Sequence, residues 1–208
     1  SEPGGQLGGE NQEPQALAEL PVWVLGDKWT RRFTYPLEEN RAVETTEEVT
    51  GENMVENVAV YAVRFASENQ TDYITNYISK NTLSLVATRI RYATPKATPV
   101  GNIVESFMVQ RGNEEYRFPM EVGDSWGYTI KAKSIYTLEN GEETETGWSE
   151  VAEVSSVVER VENVQTPAGV FECWVVKSEI TRSTGTISQR TWFSPGAKWF
   201  VKQERYIG

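Results

Sequence analysis

The 208-residue chain contains no histidine, one cysteine and only three aspartates, Asp27, Asp72 and Asp124. Without histidine, Ser-His-Asp and Cys-His catalysis and histidine-ligated zinc are excluded. A single thiol, Cys173, can form no intrachain disulfide and cannot hold a zinc ion or an iron–sulfur cluster alone. No stretch reaches the ~18–20 apolar residues of a membrane-spanning helix. Gly-rich phosphate loops leading into a helix are missing, as is the Asp-x-Asp-x-Asp calcium pattern. Positive charge is also scarce: 20 Lys+Arg stand against 30 Asp+Glu, a net charge of −10 at pH 7. That balance lacks the basic footprint a phosphate backbone or an anionic membrane surface requires. No cofactor, metal or nucleic acid is expected, and no catalytic residue can be assigned.

What is present is β-forming sequence. Runs such as "YAVRFA", "LVATRIRYAT", "SWGYTIKAKSIYTL", "FECWVVKSEITRS" and "WFVKQERYI" are rich in Val, Ile, Thr and aromatics. In "TDYITNYIS", Tyr73, Thr75 and Tyr77 face one way and Ile74 and Ile78 the other. Asn140-Gly141 is a hairpin signal in which both central residues favour positive φ, and "TPAGV" and "SPGA" are further turns. In "WSEVAEVSSVVERVENV" the valines at 151, 154, 157, 158, 161 and 164 match a helical stripe better than alternation. Valine's poor helix propensity favours one or two strands there, with a helix as the alternative. A short helical turn is expected around "PQALAEL", ended by Pro21. The first nineteen residues, with four glycines, two prolines and no basic residue, have the composition of a flexible tether. Such a stretch is expected just downstream of an export signal or a lipid-anchored cysteine.

A small signature occurs twice. Gly26-Asp27-Lys28-Trp29 and Gly123-Asp124-Ser125-Trp126 stand 97 positions apart. "YAVRF" and "WVVKS" pair Tyr61 with Trp174, 113 apart, and "TNYIS" and "RTWFS" pair Tyr77 with Trp192, 115 apart. "RY" at 91–92 recurs at 205–206. Order is preserved while the offset grows, as in an internal duplication with an insertion near the hairpin at 139–150. The repeats span about 20–98 and 117–207 within a β-rich region, 20–208. The paired aspartates are expected to close Asx turns rather than to act in catalysis.

The stretches "FPMEVGDSWGYTI", "VERVENVQTPAGVFECWVV" and "RTWFSPGAKWFVKQER" resemble a group of uncharacterised prokaryotic secreted or lipoprotein β-domains. The shared pattern is carried here by Gly123, Trp126, Pro167, Ala168, Gly169, Phe171, Cys173, Trp192, Phe193, Ser194, Pro195 and Gly196. It covers about residues 117–206; in the first half "MVENVAVY" lacks Pro-Ala-Gly and "NYISKN" lacks Trp and Pro. The resemblance extends distantly to lipoprotein-carrier half-barrels, whose concave face can hold an acyl chain. It implies a mainly β, curved antiparallel sheet or half-barrel of two related halves with at most short helices. It implies an extracytoplasmic, secreted or lipid-anchored location and carries over no catalytic residue.

Cys173 shares a strand face with Phe171 and Val175 and reads as a small buried hydrophobe. The glutamates at 38–39, 44, 47–48, 142–143 and 145 read as a solvated face, with a carboxylate-based hydrolase as a distant alternative. Seven tryptophans serve core packing or line an aromatic concavity. The resulting expectation is a non-enzymatic extracytoplasmic module that binds a lipid-like or other hydrophobic ligand, its ligand-binding residues unknown. The alternative is a structural or protein-partner-binding module of a cell-envelope assembly. Contact with a membrane would come only through an upstream anchor or tether.

Overall fold

The computed structural model describes residues 17–35, 41–67 and 70–207. Its elements are β1 (Lys28–Tyr35), β2 (Arg41–Val55), β3 (Val58–Ser67), β4 (Tyr73–Ser79), β5 (Leu85–Thr98), β6 (Gly101–Arg111), β7 (Ser125–Leu138), β8 (Glu143–Glu145), β9 (Ser149–Thr166), β10 (Gly169–Arg182), β11 (Gly185–Ser194) and β12 (Trp199–Ile207). They form one antiparallel meander in chain order, with β8 folded back onto the far half of β7 while β9 takes the near half. No helix occurs among the described residues. The expected curved antiparallel sheet is what the chain forms, and it nearly closes into a barrel.

Closure is by side chains. The edges β1 and β12 share no ladder, but the Trp29 indole N–H donates to the Ala197 carbonyl at 2.8 Å and that of Trp23 to the Lys198 carbonyl at 2.7 Å. Lys198 Nζ pairs with Asp27 at 2.9 Å, and Trp199 donates to Glu47 at 3.1 Å. The Trp23 and Trp199 rings meet edge-on with centroids 4.7 Å apart. Each strand's alternation then decides which side of the sheet a residue serves. In β3, Tyr61 and Val63 join the main core with Trp23, Tyr116, Trp174 and Phe193, while Val60 and Ala62 join a satellite cluster on the opposite face.

The valine run is a strand, β9, and its helix-like spacing has a local cause. Residues 152, 154, 156 and 158 are buried in strict alternation. The β9–β10 register then shifts between Val158 and Arg160, leaving Glu159 as the bulged residue. One extra residue reverses the parity, so Val161 packs on the same main core as Val158, three positions away.

The two signatures are built alike. Gly26 and Gly123 adopt φ of 90° and 96°, a region that glycine enters without steric cost. Asp27 Oδ2 accepts the Val24 N–H at 2.9 Å and Asp124 Oδ2 accepts the Glu121 N–H at 2.8 Å. Gly26 and Asp27 exchange backbone bonds with Val49, as Gly123 and Asp124 do with Val158. Immediately after each valine the ladder bulges, at Thr50 and at Glu159. Further on, Tyr77↔Ala87 and Ile78↔Leu85 flank a shift at Val86, and Trp192↔Lys202 and Phe193↔Phe200 flank one at Val201. Leu83 and Lys198, 115 positions apart, both have positive φ, 53° and 59°.

Several expectations are corrected. The tether assigned to 1–19 runs too far, because Ala18 is fully buried and exchanges two 2.9 Å backbone bonds with Met120. That bridge also replaces the helical turn expected around "PQALAEL" wherever its residues are described. At Asn140-Gly141 only Gly141 has positive φ; Asn140 instead accepts the Glu142 N–H with its side chain. The "RY" match is one residue out of register, since Arg91 lies opposite Tyr73 and the residue opposite Ser188, the counterpart of Tyr73, is Tyr206. The extra length is also divided. Asp124 to Val158 is 34 residues against 22 for Asp27 to Val49, and the rest falls in the β9–β10 and β10–β11 segments.

Replacing Asp124 by Ala removes one charge-assisted backbone bond and is expected to cost about 1 kcal/mol. Asp27→Ala also removes the Lys198 partner across the seam and is expected to cost more. Urea midpoints of the two variants check the order; equal losses would mean that the seam ion pair adds nothing.

Candidate functional site

A cavity of about 320 Å³ opens on the satellite face of the first half. Its floor consists of two neighbouring cross-strand rows. One joins Tyr77 of β4 to Val109 of β6 across the fully buried Ala87 of β5; the other runs Arg89, Phe107, Ile135 across β5, β6 and β7. Residues two apart on a strand point the same way, so both rows face the cavity. The opposite wall is the end of the β2–β3 hairpin, Asn53 to Glu56. Its two-residue turn, Glu56-Asn57, has φ of 49° and 66°, the left-handed pair of a type I′ hairpin. No glycine marks this turn, so it was missed in the sequence; its signal was the Asn at the second position.

Glu56 holds the hairpin over the sheet. It pairs with Arg111 of β6 and lies 3.5 Å from Lys133 of β7, strands that are not hydrogen-bonded to β2 or β3. Arg111 holds the Glu56 carboxyl below the usual carboxylate range, with Lys133 adding to the effect. Trp148 packs against the same cluster, with Arg111 4.1 Å and Lys133 5.4 Å from its ring. Within the cavity Arg89 lies 4.9 Å from the Phe107 ring and 6.0 Å from that of Tyr77.

The main core holds a second polar group of residues. Arg31 and Glu47 form an ion pair whose side chains are 11% and 14% exposed, and Arg31 stacks 3.8 Å over Phe200. The buried Tyr116 hydroxyl and the Trp174 indole N–H have no hydrogen-bond partner among the described residues. Burial pushes the Glu115 carboxyl up to about 7 against the pull of Arg205 and Arg31, and pushes Tyr116 upward as well. Glu47 and Glu115 are thus electrostatic neighbours, but the cavity described above is lined by neither.

The remaining sequence candidates take structural places. Trp23, Trp29, Trp126, Trp174 and Trp199 belong to the main core, Trp192 to a third cluster and Trp148 to the cavity's flank. Cys173 is fully buried between Val175 and Trp192, and burial pushes its thiol up to about 11. Asp72 accepts the Ala93 N–H. Glu142, Glu143 and Glu145 are exposed, with Glu145 on Lys133. Glu38 and Glu39 lie outside the described residues.

One family resembles part of this chain. A protein-family model described as DUF3108-like matches residues 114–207. The match begins in the β6–β7 connection and spans β7 to β12, the half that carries Pro167-Ala168-Gly169 and Trp192 to Gly196. The similarity is therefore to an uncharacterised β-domain family. No curated protein and no solved structure matches.

Glu115 makes stability depend on pH. Its folded-state pKa of about 7 lies above the ordinary value of 4.5, so the folded protein retains a proton that the unfolded chain has released. Stability is expected to fall between about pH 5 and 8, by an amount on the order of 2–3 kcal/mol, and to level off above. The lowered carboxylates Asp27, Glu56, Glu159, Glu162 and Glu204 titrate below this window, and there is no histidine within it. Urea midpoints from pH 5 to 8 check this, with Glu115→Gln expected to flatten the profile.

Proposed function

We propose that this chain is a non-enzymatic, extracytoplasmic binding module whose ligand site is the cavity beneath the β2–β3 hairpin. The observation that carries the proposal is the hairpin's position, held over β6 and β7 by Glu56 so that apolar surface on Tyr77, Val109 and Ile135 lines a roofed space. At about 320 Å³ the cavity stands at the lower end of small-molecule sites. With about 30 Å³ for each water-sized group, it has room for roughly ten of them. That points to a small apolar molecule or a single short chain rather than a lipid with several acyl chains. The lipid-like ligand expected from the carrier resemblance is narrowed accordingly. The extracytoplasmic location is supported by that resemblance and by the composition of the N-terminal stretch. The parallel turns, bulges and registers of the two halves support an internal duplication.

A second reading, a partner-binding module of an envelope assembly, is favoured by β12. It pairs with β11 on one side only, and beyond the seam contacts at Ala197 to Phe200 a partner's strand could be added along the other.

The chain's three methionines provide a direct test of the ligand reading. Met54 lines the cavity and Met120 is fully buried in the main core. In methyl-detected NMR with 13C-labelled methionine, a panel of small apolar probes such as octanol and decanol is expected to shift Met54 and leave Met120 in place. A Met54 resonance that no probe moves would rule out the cavity as an apolar site.

A further inference from the structure

The charges around the cavity are unequally matched. Three cations reach it or its rim: Arg89, Arg111 and Lys133. Arg111 is taken by Glu56, and Lys133 has Glu145 at 2.9 Å as well as Glu56. Arg89 is the exception. Its nearest anion is Glu105, at 3.4 Å from Nε, without hydrogen-bond geometry, and that buried Nε has no hydrogen-bond partner among the described residues. The other Glu105 oxygen is held at 2.7 Å by Arg91, so one carboxylate serves two guanidiniums. One positive charge is therefore left over at the cavity, in a chain whose net charge is −10.

The position of that charge is fixed by the sheet. Arg89 is opposite Phe107 on β6 and Thr75 on β4, and its guanidinium lies near the faces of Phe107 and Tyr77. Aromatic contact holds the guanidinium plane while leaving its N–H edge free for a planar anion. Met54, Val55, Val109 and Ile135 give the lining its apolar part, and Asn53 and Glu56 its polar part, the Glu56 charge being held by Arg111 and Lys133. A cavity with an apolar wall on one side and one under-satisfied guanidinium beside it is complementary to a short apolar chain that ends in a carboxylate.

We infer that the cavity selects a small carboxylate-bearing apolar molecule, with Arg89 receiving the carboxylate and the Tyr77–Val109–Ile135 surface receiving the tail. The inference rests on the cavity being a ligand site, as proposed above. Two probes with the same tail separate the two statements: decanoate and decanol, each titrated at pH 8 with Met54 methyl shifts as the readout. Decanoate is expected to bind about tenfold or more tightly than decanol, the gain of one charge-assisted pairing. Arg89→Gln is expected to abolish the difference. Arg91→Gln, which leaves Glu105 to Arg89 alone, is expected to reduce it.

Equal affinities for the two probes would overturn the carboxylate preference while leaving the apolar site standing. Failure of both probes to move Met54 would overturn both. A preference for decanoate that survives Arg89→Gln would place the carboxylate elsewhere and overturn the assignment. If Arg89→Gln does not fold, the decanoate-to-decanol ratio on the unaltered protein still decides the preference.

Discussion

A meander of this length must either leave its two edges apart or bring them together, and everything enclosed by this sheet depends on the second outcome. The chain achieves it with two indole N–H groups, from Trp23 and Trp29, that donate to the consecutive carbonyls of Lys198 and Ala197. A backbone ladder would have required β1 and β12 to match register along their lengths. Two tryptophans need only reach one turn, and each adds a large apolar area to the core it closes. The Asp27–Lys198 ion pair stands at the same place, so the residue that shapes the first signature turn also ties it to the far edge. Asp124, at the corresponding position, caps its turn but has no such partner across the sheet among the described residues.

Much of this architecture was legible in the sequence because its determinants are local. Gly-Asp-x-Trp fixes a turn within four residues, and alternation assigns strand faces as long as parity is preserved. Tyr77 and Ile78 on opposite faces, and Cys173 between Phe171 and Val175, obey that rule. Bulges mark its limit, because one added residue inverts the facing of every later position in the strand. The valines of β9 imitate a helix for this reason, with Val158 and Val161 on one face across Glu159. The cavity was not legible at all. It depends on the curl that brings Glu56 to Arg111 and Lys133, contacts between residues 55 and 77 positions apart in the chain. Glutamate in a run of glutamates gave no sign of which member would become a latch and which, like Glu47 or Glu115, would turn inward.

The two polar groups differ in how they are satisfied. In the main core Arg31 has a close carboxylate partner and an aromatic face, yet its buried nitrogens make no formed hydrogen bond among the described residues, and burial drives the Glu115 carboxyl toward neutrality. That arrangement ties stability to pH in a chain without a single imidazole. At the cavity the imbalance is of the opposite sign, one cation too many, and it faces open volume rather than packed side chains. Buried polar groups left in excess are costly where nothing can approach them. Where a cavity adjoins them, they indicate what could enter it.

The two halves differ at a pair that bears on the cavity. Where the first half has Ala87 opposite Tyr77, the second has Lys202 opposite Trp192, with its ammonium 4.3 Å from the indole. In the first half β5 also pairs with β6, which supplies Val109 and Phe107 to the cavity. The segment shared with the DUF3108-like family is the second one, and all but one of the cavity residues lie outside it. The similarity thus covers the second half of the sheet and leaves the cavity, apart from Ile135, outside it. The motifs of that segment therefore build the seam and the second signature turn, while the curl that forms the cavity is set by β2 to β6.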